Sequence, residues 1–182
     1  MTYNTRDMEN STIECLKTRR SIKSYKPDAV PSDEQIGQIL EAGMNAPTGR
    51  GAQSPIIIAV TDKSTRDRLS EMNAAVLGSS GDPFYGAPVV LAVLADRTVP
   101  THIYDGSLVI GNLMNAACAL GVGSCWIHRA KEIFDSAEGK ALLESWGIKG
   151  DYEGIGFCIL GFAKDGYTPA AKPRKEDYVR YI

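Results

Sequence analysis

The sequence predicts an α+β fold: a mixed sheet flanked by helices, in one domain spanning residues 1–182. Three observations carry that expectation. Short β-branched runs alternate with stretches of helical periodicity, the mark of a layered sheet-and-helix protein. The order opens with two helices rather than a strand, which favours a mixed sheet over a doubly wound parallel one. Residues 106–127 carry no charge over 22 positions, and a helix apolar around most of its circumference is a deeply buried one. A chain this short has few helices of its own to cover every face. A subunit partner would cover the rest, so dimerisation would complete the domain.

The elements follow in order. Ser11-x-x-Glu14 is a capping box that opens a short helix through Thr18. Ser32-x-x-Gln35 is a second box, and Ile36, Ile39, Leu40, Gly43 and Met44 then repeat at helical spacing. That helix ends at Ala46-Pro47, because the residue before proline avoids the α region. Residues 56–60 read as a buried strand, 65–76 as a helix, 79–88 as a Gly/Ser/Pro-rich loop and 89–94 as a second buried strand. The long apolar helix spans residues 103–120 and stops at Gly121 in a Schellman-type turn. Residues 124–128 are a third strand, 136–146 a helix ended by Gly147, and 155–160 a fourth strand. The tail from Lys164 contains Pro169 and Pro173.

Composition excludes several classes. Hydrophobic residues are 43% and charged residues 23%, both near the globular average, which argues against disorder. The net charge of −2 lacks the basic footprint of a nucleic-acid binder. The uncharged run contains Asn112 and Asn115, whose amides would cost several kcal/mol unpaired in lipid, so it does not read as a membrane span. Four cysteines and two histidines form no C-x-x-C pair and no four-ligand cluster, so no metal site is expected. Without an apolar leader at residues 1–10, the cysteines read as small buried residues in a reducing, cytoplasmic setting.

Several motifs have two readings. Arg19-Arg20-Ser21-Ile22-Lys23 can grip a phosphate through arginine forks and a hydroxyl, or can neutralise the C-terminal end of the first helix dipole. The loop from Pro47 through Thr48, Gly49 and Gly51 to Pro55 allows close backbone approach to a ligand, or is an ordinary connection. It lacks the Gly-Lys-Ser/Thr end of a P-loop. Gly121-Val122-Gly123-Ser124 follows a helix and opens a strand, the reverse of a dinucleotide fingerprint. Cys125 and His128 stand three apart, so a strand would place them on opposite faces, against a thiolate–imidazole pair. Lys172-Pro173-Arg174-Lys175 is a solvated tail, or returns to join the first basic cluster.

Taken together, Arg19 to Tyr25, Ala46-Pro47-Thr48 with Gln53-Ser54-Pro55, the apolar helix running into Leu120-Gly121-Val122-Gly123-Ser124-Cys125-Trp126-Ile127, the strand Ile155-Gly156 to Leu160-Gly161, and Lys172-Pro173-Arg174 resemble the FMN-dependent nitroreductase family over nearly the whole length. The resemblance implies an obligate homodimer with two FMN at its interface. It implies ping-pong transfer through flavin N5, from NADH or NADPH to a nitroaromatic, quinone or related small molecule, with no catalytic side chain. Reductive dehalogenation, ring oxidation, or a non-catalytic flavin-binding module are the alternatives.

Matched residue by residue, Arg19, Arg20 and Ser21 fall on the phosphate and ribityl contacts, and Lys23 on a cation near the pyrimidine. Lys172 and Arg174 match the C-terminal phosphate contacts. Pro47, Thr48 and Gly49 match the loop the partner lays over the ring. Ile127, His128 and Arg129 fall where backbone N–H groups stand beside N5, and Asn73 on a polar flavin contact. His128-Arg129 departs from the Glu-Gly or Gly-Gly frequent at that place, so these side chains are expected to meet substrate or pyridine nucleotide. The lid is expected at residues 79–85, with Phe84 and Tyr85 as its aromatic walls.

Overall fold

The computed structural model describes residues 11–182. The chain runs α1 (Ser11–Thr18), α2 (Asp33–Met44), β1 (Pro55–Val60), α3 (Lys63–Leu77), β2 (Val89–Asp96), α4 (His102–Ala119), β3 (Gly123–Ile127), α5 (Ala130–Asp135), α6 (Ala137–Ser145) and β4 (Tyr152–Gly161). The four strands form one sheet in the order β1-β2-β4-β3, antiparallel throughout. The mixed character expected from the sequence survives only at the margin, where Ser21 bridges Ser124 in parallel.

Local chemistry explains the ends. Gln35 N–H donates to Ser32 Oγ at 3.2 Å and Ser32 N–H to Gln35 Oε1 at 3.0 Å, the reciprocal box that starts α2. Asp62 caps α3 by accepting from Thr65 N–H, and Gly78 ends it at φ 69°. After α4, Val122 N–H reaches Ala117 O at 2.8 Å and Gly121 N–H reaches Cys118 O at 3.1 Å, a Schellman stop. Two elements have no sequence signal. A 3₁₀ turn covers Gly49–Gly51, and α5 starts behind a left-handed Arg129 with no capping side chain.

Alternation along the strands makes two cores, one on each face of the sheet. Leu69 of α3, Phe84, Phe134 and the inward residues Val90, Ala92, Leu94, Phe157 and Ile159 form one. Ile36 and Ile39 of α2, Ile110 and Leu113 of α4, and Leu91, Val93, Cys158 and Leu160 form the other. Gly43 lets α2 approach α4; a Cβ there would sit 2.5 Å from Leu113 Cδ2. Asn112 is satisfied by donating to Ala42 O at 3.0 Å. The apolar helix is nevertheless not covered all round, for Tyr104 is 71% exposed and Ile103 and Leu108 about half. No helix among the described residues is long and apolar enough to cross a membrane.

Candidate functional site

Beyond α1, the chain docks on the outer end of β3 and β4. Ile22 N–H donates to Ser124 O at 2.9 Å, Lys26 N–H to Phe162 O at 2.9 Å, and Lys164 N–H to Ser24 O at 3.0 Å. This anchors the basic motif, and its two arginines diverge. Arg20 Nη1 donates to Lys17 O and Arg19 O, both at 2.9 Å, so it caps the end of α1 as a helix-terminal cation does. Arg19 Nη1 is buried with no hydrogen-bond partner among the described residues. Arg19 lines a cavity of about 280 Å³ with Gly123, Ser124, Tyr167 and Thr168. A buried donor without an acceptor costs about 1–3 kcal/mol, a cost that an anion reaching Nη1 by a shift of the side chain would remove. The residues present therefore fit a phosphate group. The start of the tail reaches this cavity, whereas Lys172 and Arg174 lie beyond it and are exposed.

At the other end of β3, Ile127 is buried, His128 is exposed, and Arg129 turns the chain into α5 at φ 78°. Asn73 of α3, 0% exposed, holds this turn. Its Nδ2 donates to His128 O at 2.8 Å, and its Oδ1 accepts from Arg129 Nε at 2.8 Å. The amide expected at a flavin is engaged with the backbone and side chain of the turn.

The 79–88 loop is fastened rather than free. Arg66, buried, donates to Ala87 O at 2.9 Å and to Asp82 at 2.5 Å. Asp82 also accepts from Ser70 Oγ and from the N–H groups of Phe84 and Gly86. Burial opposes ionisation of Asp82, but these donors outweigh it and hold the carboxyl below its ordinary range. The expectation of two aromatic walls is corrected. Phe84 is 0% exposed and packs on Phe157 at 5.3 Å, because its position in the loop faces the core. Only Tyr85 is exposed, with Lys23 Nζ 5.8 Å from its ring centroid.

The 47–54 loop stands apart, beside β1. Its anchor is Asp105 of α4, 2% exposed. Asp105 accepts from Gly49 N–H at 2.9 Å, Ser54 Oγ at 2.8 Å and Thr101 Oγ1 at 3.0 Å. Burial raises its pKa, and the three donors more than reverse that, so the group stays a carboxylate. Gly49 is required here, since a Cβ would lie 2.4 Å from Thr101 Oγ1. Thr48 Oγ1 accepts from Gln53 N–H, and Pro47 is exposed. Sequence reasoning missed Asp105; its one signal is a lone acid, four residues after Thr101, at the border of the uncharged run.

One chain does not bring these segments together. The basic motif and the 128–129 turn flank β3, at one sheet edge, and the 47–54 loop flanks β1, at the other. Three strand spacings separate the edges, about 14 Å. Yet all four non-glycine residues with left-handed φ among the described residues, Arg50, Gln53, Tyr85 and Arg129, fall in the 47–54 loop, the 79–88 loop and the 128–129 turn. Such backbone costs of order 1 kcal/mol or more at each residue and collects at functional sites. Cys125 and Cys158 lie in the cores, where burial pushes their thiols up and away from nucleophilic use. No metal-holding cluster occurs among the described residues.

The comparisons agree with this architecture. Residues 16–89 match the model of the nitroreductase family. A protein of Archaeoglobus fulgidus named as an NADH dehydrogenase/NAD(P)H nitroreductase is 35% identical over 161 residues, 84% of this chain and 87% of that one. The NADPH-flavin oxidoreductase of Vibrio harveyi is 32% identical over 189 residues, 93% of this chain and 72% of that one. The crystal structure of a nitroreductase with bound FMN from Bacteroides fragilis superposes with a TM-score of 0.86 at 26% identity, covering 95% of this chain and 99% of that one. With the antiparallel sheet, the docked basic motif and these similarities in hand, the chain belongs to the nitroreductase family.

Proposed function

We propose that this protein is an FMN-dependent NAD(P)H oxidoreductase that reduces nitroaromatics, quinones or related small molecules, working as a homodimer. The observation that carries the reading is Arg19, which lines the cavity beside β3 and whose buried Nη1 has no partner among the described residues, in a chain of this family. FMN, when bound, supplies the hydride acceptor at N5 and passes two electrons onward.

The remaining work belongs to this chain's residues. Arg19 and Ser21 hold the phosphate end, and Lys172 and Arg174 close on it from the tail. Arg20 fixes the end of α1 and so aims its neighbour. Lys23 would supply a positive charge near the pyrimidine of a bound flavin, and such a charge favours the anionic reduced form. Ile127, His128 and Arg129 present backbone N–H groups, and Asn73 keeps that turn in place. No side-chain nucleophile is needed.

The two separated edges support the dimer. In such a dimer the partner's Pro47–Gly49 segment would cover the flavin held at β3. Exposed apolar residues are available for the interface: Tyr104 and Leu108 on α4, Ile13 and Leu16 on α1, and Met44 on α2. The same reading puts the protein in the cytoplasm, where its four free thiols persist.

The absorbance spectrum of the purified protein tests the flavin assignment, and sedimentation tests the dimer. The expected results are a yellow protein of twice 19.7 kDa that oxidises NADH or NADPH when given a quinone. Arg19→Ala is expected to weaken FMN binding by about 1.5–3 kcal/mol. Colourless protein that neither takes up FMN nor oxidises either nicotinamide overturns the reading.

A further inference from the structure

The turn at Arg129 carries a side chain that its backbone does not favour. Left-handed φ suits glycine and costs a residue with a Cβ on the order of 1 kcal/mol. A turn needed only for its N–H groups would be served by glycine. Arg129 is instead held at one end of its guanidinium, where Nε donates to buried Asn73. Its two terminal nitrogens have no partner among the described residues, and no ion pair occupies them.

Of the charges beside Arg129, Glu153 and Lys131 are paired. Arg129 borders a hollow of about 240 Å³ with Ser107, Trp126, His128, Glu132 and Glu153. Glu153 is taken up by Arg97 at 2.6 Å and Lys131 at 3.2 Å, with His102 at 3.6 Å. Lys131 is shared between Glu153 and Asp135. Glu132 is exposed and makes no ion pair among the described residues. Arg129 is thus the cation at this turn whose fork is oriented but vacant. A fork held at Nε presents its two Nη groups as a pair, the geometry that matches a phosphate or carboxylate.

We propose that Arg129 is a specificity-determining residue that binds an anionic group, phosphate or carboxylate, on one of the two compounds that alternate at the site. The inference rests on the flavin reading above. The anion has two possible sources: the 2′-phosphate of NADPH, which NADH lacks, or a carboxylate on the aromatic acceptor.

The test compares ratios in wild type, Arg129→Lys and Arg129→Gln, each matched for FMN content. One arm measures kcat/KM for NADPH against NADH with a neutral quinone. The other measures 4-nitrobenzoate against nitrobenzene with one donor held fixed. Calorimetric binding of 2′-AMP and of benzoate gives the same comparison without turnover. The expected result is a preference for the charged member in one arm, falling about tenfold in Arg129→Gln, the loss of one charge-assisted pair. Arg129→Lys retains part of it, and added salt weakens it. The arm that moves identifies the anion. Ratios within twofold of wild type in both arms, or a wild type with no preference in either, overturn the inference while leaving the flavin reading intact. A wild type that takes no FMN and oxidises no nicotinamide overturns both.

Discussion

The two edges of the sheet solve one problem with different chemistry. At the β3 edge, the strained 128–129 turn is held by a neutral amide, Asn73, buried on α3. At the β1 edge, the strained 49–53 loop is held by a carboxylate, Asp105, buried on α4. In both, a helix on one face of the sheet fixes a loop at its margin through a single fully enclosed polar group. The difference lies in what that group can tolerate. A carboxylate with three donors is a strong anchor that depends on its charge, whereas an amide is weaker and indifferent to pH.

The comparison can be broken from either side. The largest expected effect is Asp105→Ala, which strands the Gly49 N–H and the Ser54 hydroxyl and removes a charged acceptor. Urea denaturation should show a loss of about 3 kcal/mol, and the proposed dimer should weaken with it. Gly49→Ala drives a methyl into Thr101 and is expected to cost about 2 kcal/mol through overpacking, read as a lower Tm. Asn73→Ala should cost about 1–2 kcal/mol and weaken FMN binding through the loosened turn; stability and FMN affinity equal to wild type would show that the turn holds itself.

The subtlest effect is the pH response. The folded pKa of Asp105 lies below its ordinary 3.8. Its stabilisation is therefore fully present above that ordinary value and is lost as pH falls through the depressed folded one. Stability measured between pH 5 and about pH 3 should fall more steeply in wild type than in Asp105→Asn. In Asn73→Ala the slope should match wild type. Equal slopes in all three proteins would place the acid sensitivity elsewhere, with Asp82 the next carboxylate to replace.

Local signals made much of the fold legible. The Ser32/Gln35 box and the Gly121 stop each depend on residues within a few positions, and both occur as read. What failed was short or distant. Helix α5 is six residues behind an arginine that gives no capping signal. The anchors escaped because Asp105 and Gly49 are 56 residues apart, and Asn73 and His128 are 55. No sequence window joins them. The basic motif was visible as a cluster, but only the fold separates Arg20, turned onto the helix end, from Arg19, whose buried Nη1 has no partner among the described residues. Phe84 and Tyr85 are neighbours of similar chemistry, and only the fold tells that the first belongs to the core.

Helix α4 has its loop-gripping carboxylate one turn from its start, and its glycine stop leads directly into the strand on which the basic motif docks. Its 18 residues make a rigid gauge about 27 Å long. The 47–54 loop and the docked basic motif are therefore in phase with each other through one helix. Inserting a single residue midway would swing one end by about 100° relative to the other, and the carboxylate and the docking strand could no longer both meet their partners.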